Sequence, residues 1–252
     1  MVFKVFTLLF GVLITVVLGV PLLADPKPFI IGGVDAPTAY APHMAALVFG
    51  YRLQYLMCGG SIISRNLVLT AAHCIEPLIS ENGELLSSSH VRVGSNKWNS
   101  GGILAEIKDY YIHPQWDSKN IKYDAGVLGL EEKLVLTAHV GIIDLAYDFV
   151  DGNEKSYVTG WGRTGPRYQD DVLVTGAVAL PIQREIEICT FHSYRHGMCS
   201  GDSGSALVRS STNQQIGIVS WGYNCADGAP DVYVRIHGIK DFLESVWTDY
   251  KD

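Results

Sequence analysis

The stretch Cys199-Ser200-Gly201-Asp202-Ser203-Gly204-Ser205 decides the reading of this chain. Glycines flank the Asp202-Ser203 pair, which suits a tight turn in which a backbone N–H can meet a developing negative charge. By itself such a segment is also an ordinary polar turn. Two upstream stretches add to it: Thr70-Ala71-Ala72-His73-Cys74 supplies a histidine, and Tyr123-Asp124-Ala125-Gly126 supplies an acid followed by apolar residues. A histidine or an acid on an apolar stretch is often just a partnered core residue, but together they give the chain order His73, Asp124, Ser203. Three catalytic arrangements of these residue types differ in that order, and only one of them runs His, Asp, Ser.

On these motifs the chain resembles the chymotrypsin-like serine endopeptidases, most closely the arthropod chymotrypsin and collagenolytic branch, from Ile30 to about Val246. The resemblance implies an all-β protein: two six-stranded antiparallel Greek-key barrels with a C-terminal helix and the site between the barrels. Composition agrees. The 252 residues include 26 Gly and 10 Pro, only 18% are charged, and short apolar runs broken by turn formers point to strands. The net charge of −7 argues against nucleic acid or an anionic membrane surface as partner. No phosphate-cradling glycine loop opens a helix, and no His-x-x-x-His lies on one, so no cofactor and no metal are expected.

Residues 1–24 carry one basic residue, Lys4, followed by an apolar run that ends in small residues. This reads as a secretory signal peptide, hence a secreted, extracellular protein. An uncleaved anchor is the other reading, and Pro21 weighs against it. Residues 25–29 form a short propeptide and 30–252 the protease domain. The resemblance implies that cleavage before Ile30 frees an amine that pairs with Asp202, the pair fixing the Gly201 N–H. Phe29 stands where most such precursors have Arg or Lys, so the activating enzyme is expected to be chymotrypsin-like.

The resemblance further assigns roles. Ser203 is the nucleophile, His73 the proton shuttle, Asp124 its orienting acid with Ser220 as a further partner, and the N–H groups of Gly201 and Ser203 form the oxyanion hole. Gly197 and Met198 form the base of the primary pocket, Gly222 and Asp231 its walls, and Ser220-Trp221-Gly222 the strand that pairs with substrate. Gly197 lacks the acid of a trypsin pocket, and Asp231 replaces a glycine. Cleavage is therefore expected after Phe, Tyr or Leu, with minor acceptance of Lys or Arg. Five cysteines in a secreted chain suggest disulfides; the family spacing pairs Cys58 with Cys74 and Cys199 with Cys225. Cys189 is left over because a stretch of the family pattern before it is missing.

Three smaller departures are expected to matter. Ser205 and Ala206 replace glycine and proline, so the nucleophile loop must tolerate a Cβ, and Gly126 replaces alanine at a small loss of packing. Residues 238–246 should form an amphipathic helix with Ile239, Phe242, Leu243 and Val246 on one face. Partners are protein or peptide substrates and protein inhibitors, on a monomer with no membrane contact after signal removal. The rival reading is a catalytically silent homologue that binds a regulatory partner.

Overall fold

A computed structural model describes residues 33–163, 173–180 and 185–250. The signal peptide, the propeptide and Ile30 lie outside the described residues.

The first barrel is built from β2 (Met44–Phe49), β3 (Tyr55–Ile62), β4 (Leu67–Thr70), β5 (Ser89–Val93), β6 (Ile103–Ile112) and β7 (Gly126–Leu130). All neighbours are antiparallel and the barrel closes in the order β2-β3-β4-β7-β6-β5. The strands β4 and β7 are buried along their whole length, which explains why they read as continuous apolar runs, Leu67-Val68-Leu69 and Gly126-Val127-Leu128. In contrast, no residue of β6 is fully buried: Glu106 and Lys108 are exposed, while Asp109, past a register shift, is partly covered and accepts a hydrogen bond from the Tyr250 hydroxyl.

The second sheet runs β1 (Val34–Asp35), β9 (Leu173–Ala179), β10 (Glu187–Phe191), β13 (Asp231–Arg235), β12 (Gln215–Gly222), β11 (Ala206–Arg209) and β8 (Lys155–Gly160). Because β8 also pairs with β9, the six strands from β9 round to β8 form a closed ring, with β1 added outside on β9. Two six-stranded antiparallel barrels are therefore present, as the resemblance implied. Closure leaves little free edge on either barrel.

Buried polar bonds hold the barrels together. The Ser61 hydroxyl of β3 donates to Gln215 Oε1 of β12 at 2.7 Å, and the Gln215 amide donates on to Gly217 O. The Trp161 indole N–H donates to Asn96 O at 2.8 Å. The C-terminal segment completes the core. A 3-10 turn, His237–Ile239, leads into the helix α2 (Lys240–Asp249), and Ile239, Phe242, Leu243 and Val246 are all buried against the same apolar cluster as β4 and β7. The expected face is the right one, while the α-helix begins later than Gly238 because the first turn is the tighter 3-10 form common at helix starts. Among the described residues no helix is long and apolar enough to cross a membrane.

Candidate active site

Asp124 is the fixed point of the site. It has no exposed surface, and three donors reach its carboxylate: His73 Nδ1 at 2.7 Å and the Ser220 hydroxyl at 2.5 Å on Oδ2, and the His73 backbone N–H at 2.9 Å on Oδ1. A buried carboxylate with three donors is satisfied in its charged form. The turn that delivers Asp124 is strained: Ile121 and Tyr123 sit at φ of +50° and +54°, which residues with bulky side chains rarely adopt. Stacking of Tyr123 on His113, at 4.7 Å between ring centres, holds that turn, and His113 in turn contacts Phe242 of α2.

His73 lies on the single helical turn α1 (Ala72–Ile75), directly after the buried strand β4. The disulfide Cys58–Cys74 ties that turn to β3. About a third of the His73 side chain is exposed, and its Nε2 lies 3.7 Å from the Cys74 sulfur. Cys58, His73 and Cys74 are close enough for their ligand atoms to surround an ion, yet the two sulfurs are bonded to each other and offer no thiolate.

Ser203 sits in a loop clamped from both barrels. The Gly59 N–H of β3 donates to Ser203 O at 2.7 Å, and the Gly204 N–H donates to Val219 O of β12 at 2.8 Å. Gly204 must be glycine: its φ is +81°, and an added Cβ would run into Thr70 Oγ1 and Gly59 O. Among the described residues neither the Gly201 nor the Ser203 N–H enters a backbone hydrogen bond. No hydrogen bond joins Ser203 Oγ to His73 Nε2; what ties the two loops is β3, whose Gly59 N–H holds Ser203 O and whose Cys58 is bonded to Cys74 beside His73.

Asp202 is completely buried, and the N–H groups of Gly162 and Cys199 donate to it at 2.8 and 3.0 Å. Burial pushes its carboxyl up to about 7 despite those two bonds, and the nearby Asp231 charge adds to the rise.

The second disulfide, Cys199–Cys225, closes a cavity of about 250 Å³ beside Ser203, lined by Met198, Ser200, Val219, Ser220, Trp221, Gly222 and Asn224. Trp221 and Gly222 form the exposed end of β12. Asp231 does not line the cavity itself. Its carboxyl packs against Gly197, Met198 and Gly222: the Met198 N–H donates to Oδ2 at 3.0 Å, and a Cβ on Gly197 or Gly222 would stand 2.8 or 2.9 Å from a carboxylate oxygen. Partial burial lifts its pKa to about 6, the Met198 bond opposing. Cys189 lies on β10, outside both disulfides.

Two smaller expectations are corrected or sharpened. Gly126 does not leave a packing defect, since an alanine Cβ there would stand 2.5 Å from Ile75 Cδ1 and 3.1 Å from Tyr111 O; Ile75 fills the space. The Cβ of Ser205 is accommodated because Gly59 faces it. Sequence reasoning missed the anchoring part played by Gly59 and by Thr70, whose hydroxyl donates to Gly59 O at 2.8 Å. The Gly59-Gly60 pair within an otherwise apolar strand was the available signal.

A family model described as Trypsin matches residues 30–243. Trypsin 5G1 of Aedes aegypti is 32% identical over 235 residues, 86% of this chain and 84% of the relative. Trypsin iota of Drosophila melanogaster is 32% identical over 250 residues, covering 92% and 94%. Hypodermin-B of Hypoderma lineatum is 31% identical over 231 residues, covering 85% and 86%.

Proposed function

This chain belongs to the trypsin family of serine proteases, and from that premise we propose that it is a secreted endopeptidase acting through His73, Asp124 and Ser203. The observation that carries the reading is Asp124, held by His73 Nδ1 and Ser220 while the Ser203 carbonyl is fixed from Gly59. Ser203 Oγ attacks the substrate carbonyl carbon as its proton passes to His73 Nε2. The carbonyl oxygen gains the negative charge and is met by the N–H groups of Gly201 and Ser203. His73 then gives the proton to the leaving amine, and water releases the acyl group by the same steps in reverse order. Asp124 fixes the imidazole with its proton on Nδ1 and stabilises the cation that forms.

Cleavage after Phe29 frees the Ile30 amine to pair with Asp202. What supports this is the state of Asp202, a buried acid raised to about 7 with, among the described residues, only the Gly162 and Cys199 backbone N–H groups donating to it, for which a cation is the fitting partner. Phe, Tyr or Leu precede the scissile bond, with Lys or Arg a weaker class directed by Asp231. The relatives named trypsins set the opposite expectation, and the absence of an acid at Gly197 is what argues against the ordinary trypsin arrangement here. Treatment of the cleaved chain with a fluorophosphonate tests the reading: mass spectrometry should find the label on Ser203. A chain with Ile30 at its N-terminus that takes no label is instead a silent homologue.

A further inference from the structure

His192 and His196 flank the turn that runs from β10 into Gly197, four residues apart, outside the machinery described above. Their rings stack at 4.5 Å between centres with 25° between planes. Both Nδ1 atoms converge on one atom: each lies 2.8 Å from the Ser193 hydroxyl oxygen. A hydroxyl has one hydrogen, so it donates to one ring and accepts from the other, and at least one Nδ1 lone pair already points into the gap. The other ring reaches the same state by moving its proton from Nδ1 to Nε2, which needs no net proton loss. The Tyr194 carbonyl oxygen lies 3.3 Å from His196 Nδ1, adding an oxygen donor. Two imidazoles with hydroxyl and carbonyl oxygens are a donor set for Zn²⁺ or Cu²⁺ rather than for Ca²⁺ or Mg²⁺.

The turn is wired to the pocket. The Arg195 N–H donates to Ala226 O at 2.9 Å, next to Cys225 of the pocket disulfide, and His196 is followed by Gly197 and by Met198, whose N–H holds Asp231. Drawing the two rings together on an ion at about 2.0–2.1 Å from each nitrogen pulls on the backbone that carries Gly197. We propose that His192, Ser193 and His196 form a binding site for Zn²⁺ or Cu²⁺, and that an ion bound there weakens substrate binding in the adjoining pocket. The binding half stands on the turn alone, whereas the effect on substrate rests on the proteolytic reading.

The test uses the cleaved enzyme, its His192→Gln and His196→Gln variants, and titration with ZnCl₂ and CuCl₂. Gln removes the imidazole ligand and keeps a neutral polar side chain at each position. Calorimetry should show one saturable site, weakened about tenfold or more by either substitution, as expected on losing one ligand of a small set. In the wild type the ion should raise KM severalfold and leave kcat within about twofold, and either substitution should remove that effect. Binding that ignores both substitutions, or inhibition that lowers kcat and persists in both variants, places the ion elsewhere, as at His73, and overturns the proposal. Saturable binding that changes KM in no substrate overturns its regulatory half. A chain that binds the ion at this turn yet hydrolyses nothing overturns the proteolytic reading and leaves the site standing.

Discussion

Ser205 Oγ occupies the space in front of Gly59 that a side chain there would need, and among the described residues this buried hydroxyl has no hydrogen-bond partner. The two positions form a matched pair across the barrels: the loop gains a Cβ and the facing strand has none. Burying an unpartnered hydroxyl costs about 1–3 kcal/mol. Ser205→Ala should therefore stabilise the protein by about 1 kcal/mol, read as a higher denaturation midpoint with an unchanged m-value. Gly59→Ala should destabilise it by several times that, and adding Ser205→Gly should restore most of the loss. Additive effects in that double-mutant cycle would show that the two residues do not meet.

Ser220 supplies one of the three donors to Asp124 from the last buried position of β12, directly before the exposed Trp221 and Gly222. A hydrogen bond to a charged group is worth about 1.5–3 kcal/mol. Ser220→Ala should lower kcat by about tenfold through a less firmly held Asp124, with a smaller change in KM. A mutant with unchanged kcat would show that His73 alone orients the acid.

Asp202 predicts opposite pH behaviour before and after cleavage. In the uncleaved chain its carboxyl rises from 3.8 to about 7 through burial, so the protonated form is the one the fold prefers. The resulting stability is fully present below about 3.8 and is lost as the pH climbs through about 7. Asp202→Asn should flatten that slope in the uncleaved chain, measured by thermal denaturation between these limits. If the Ile30 amine pairs with Asp202 in the cleaved chain as proposed, the preference for the neutral acid is reversed there, and the same substitution should destabilise the protein at neutral pH and abolish activity. A slope that persists in the Asn variant would have to come from another group.

The parts of the site that were legible in the sequence are those set by short stretches. His73 follows the buried run of β4, Asp124 precedes that of β7, and Ser203 sits in a loop of Gly201 and Gly204, both at positive φ. The two disulfide pairs followed from the family resemblance, and the apolar face of α2 from its period. What could not be read pairs residues far apart in the chain. Ser61 and Gln215 look like stray polar residues in apolar strands until 154 positions of chain are folded back between them. The +54° φ at Tyr123 goes with its stacking on His113, ten residues away, and no local signal announces it. Gly126 misled because the family comparison supplied a missing methyl but not Ile75, which fills the gap.

Asp231 gives the sharpest functional test. Its carboxyl lies between Gly197 and Gly222 with a single bond, from Met198 N–H, and partial burial lifts it from 3.8 to about 6. The groups around it are the buried Asp202, whose own charge it opposes, and the Tyr233 hydroxyl, whose ionisation it discourages and which donates to or accepts from Thr190 at 3.2 Å; neither supplies a cation. If the carboxyl reaches bound substrate past Gly197 and Gly222, the neutral acid below about pH 6 should suit an aromatic or leucine side chain, and the carboxylate above it should attract Lys or Arg while opposing an apolar ring. The ratio of kcat/KM for a basic over an aromatic substrate, measured on one preparation, cancels pH effects common to both substrates. That ratio should rise as the pH passes through about 6 and level off above it. Asp231→Gly should remove the rise and the basic cleavage together while sparing or improving the aromatic substrates. A ratio that is flat with pH in the wild type, or unchanged by the substitution, would mean that the carboxyl does not reach bound substrate and that Gly197 and Met198 set the preference.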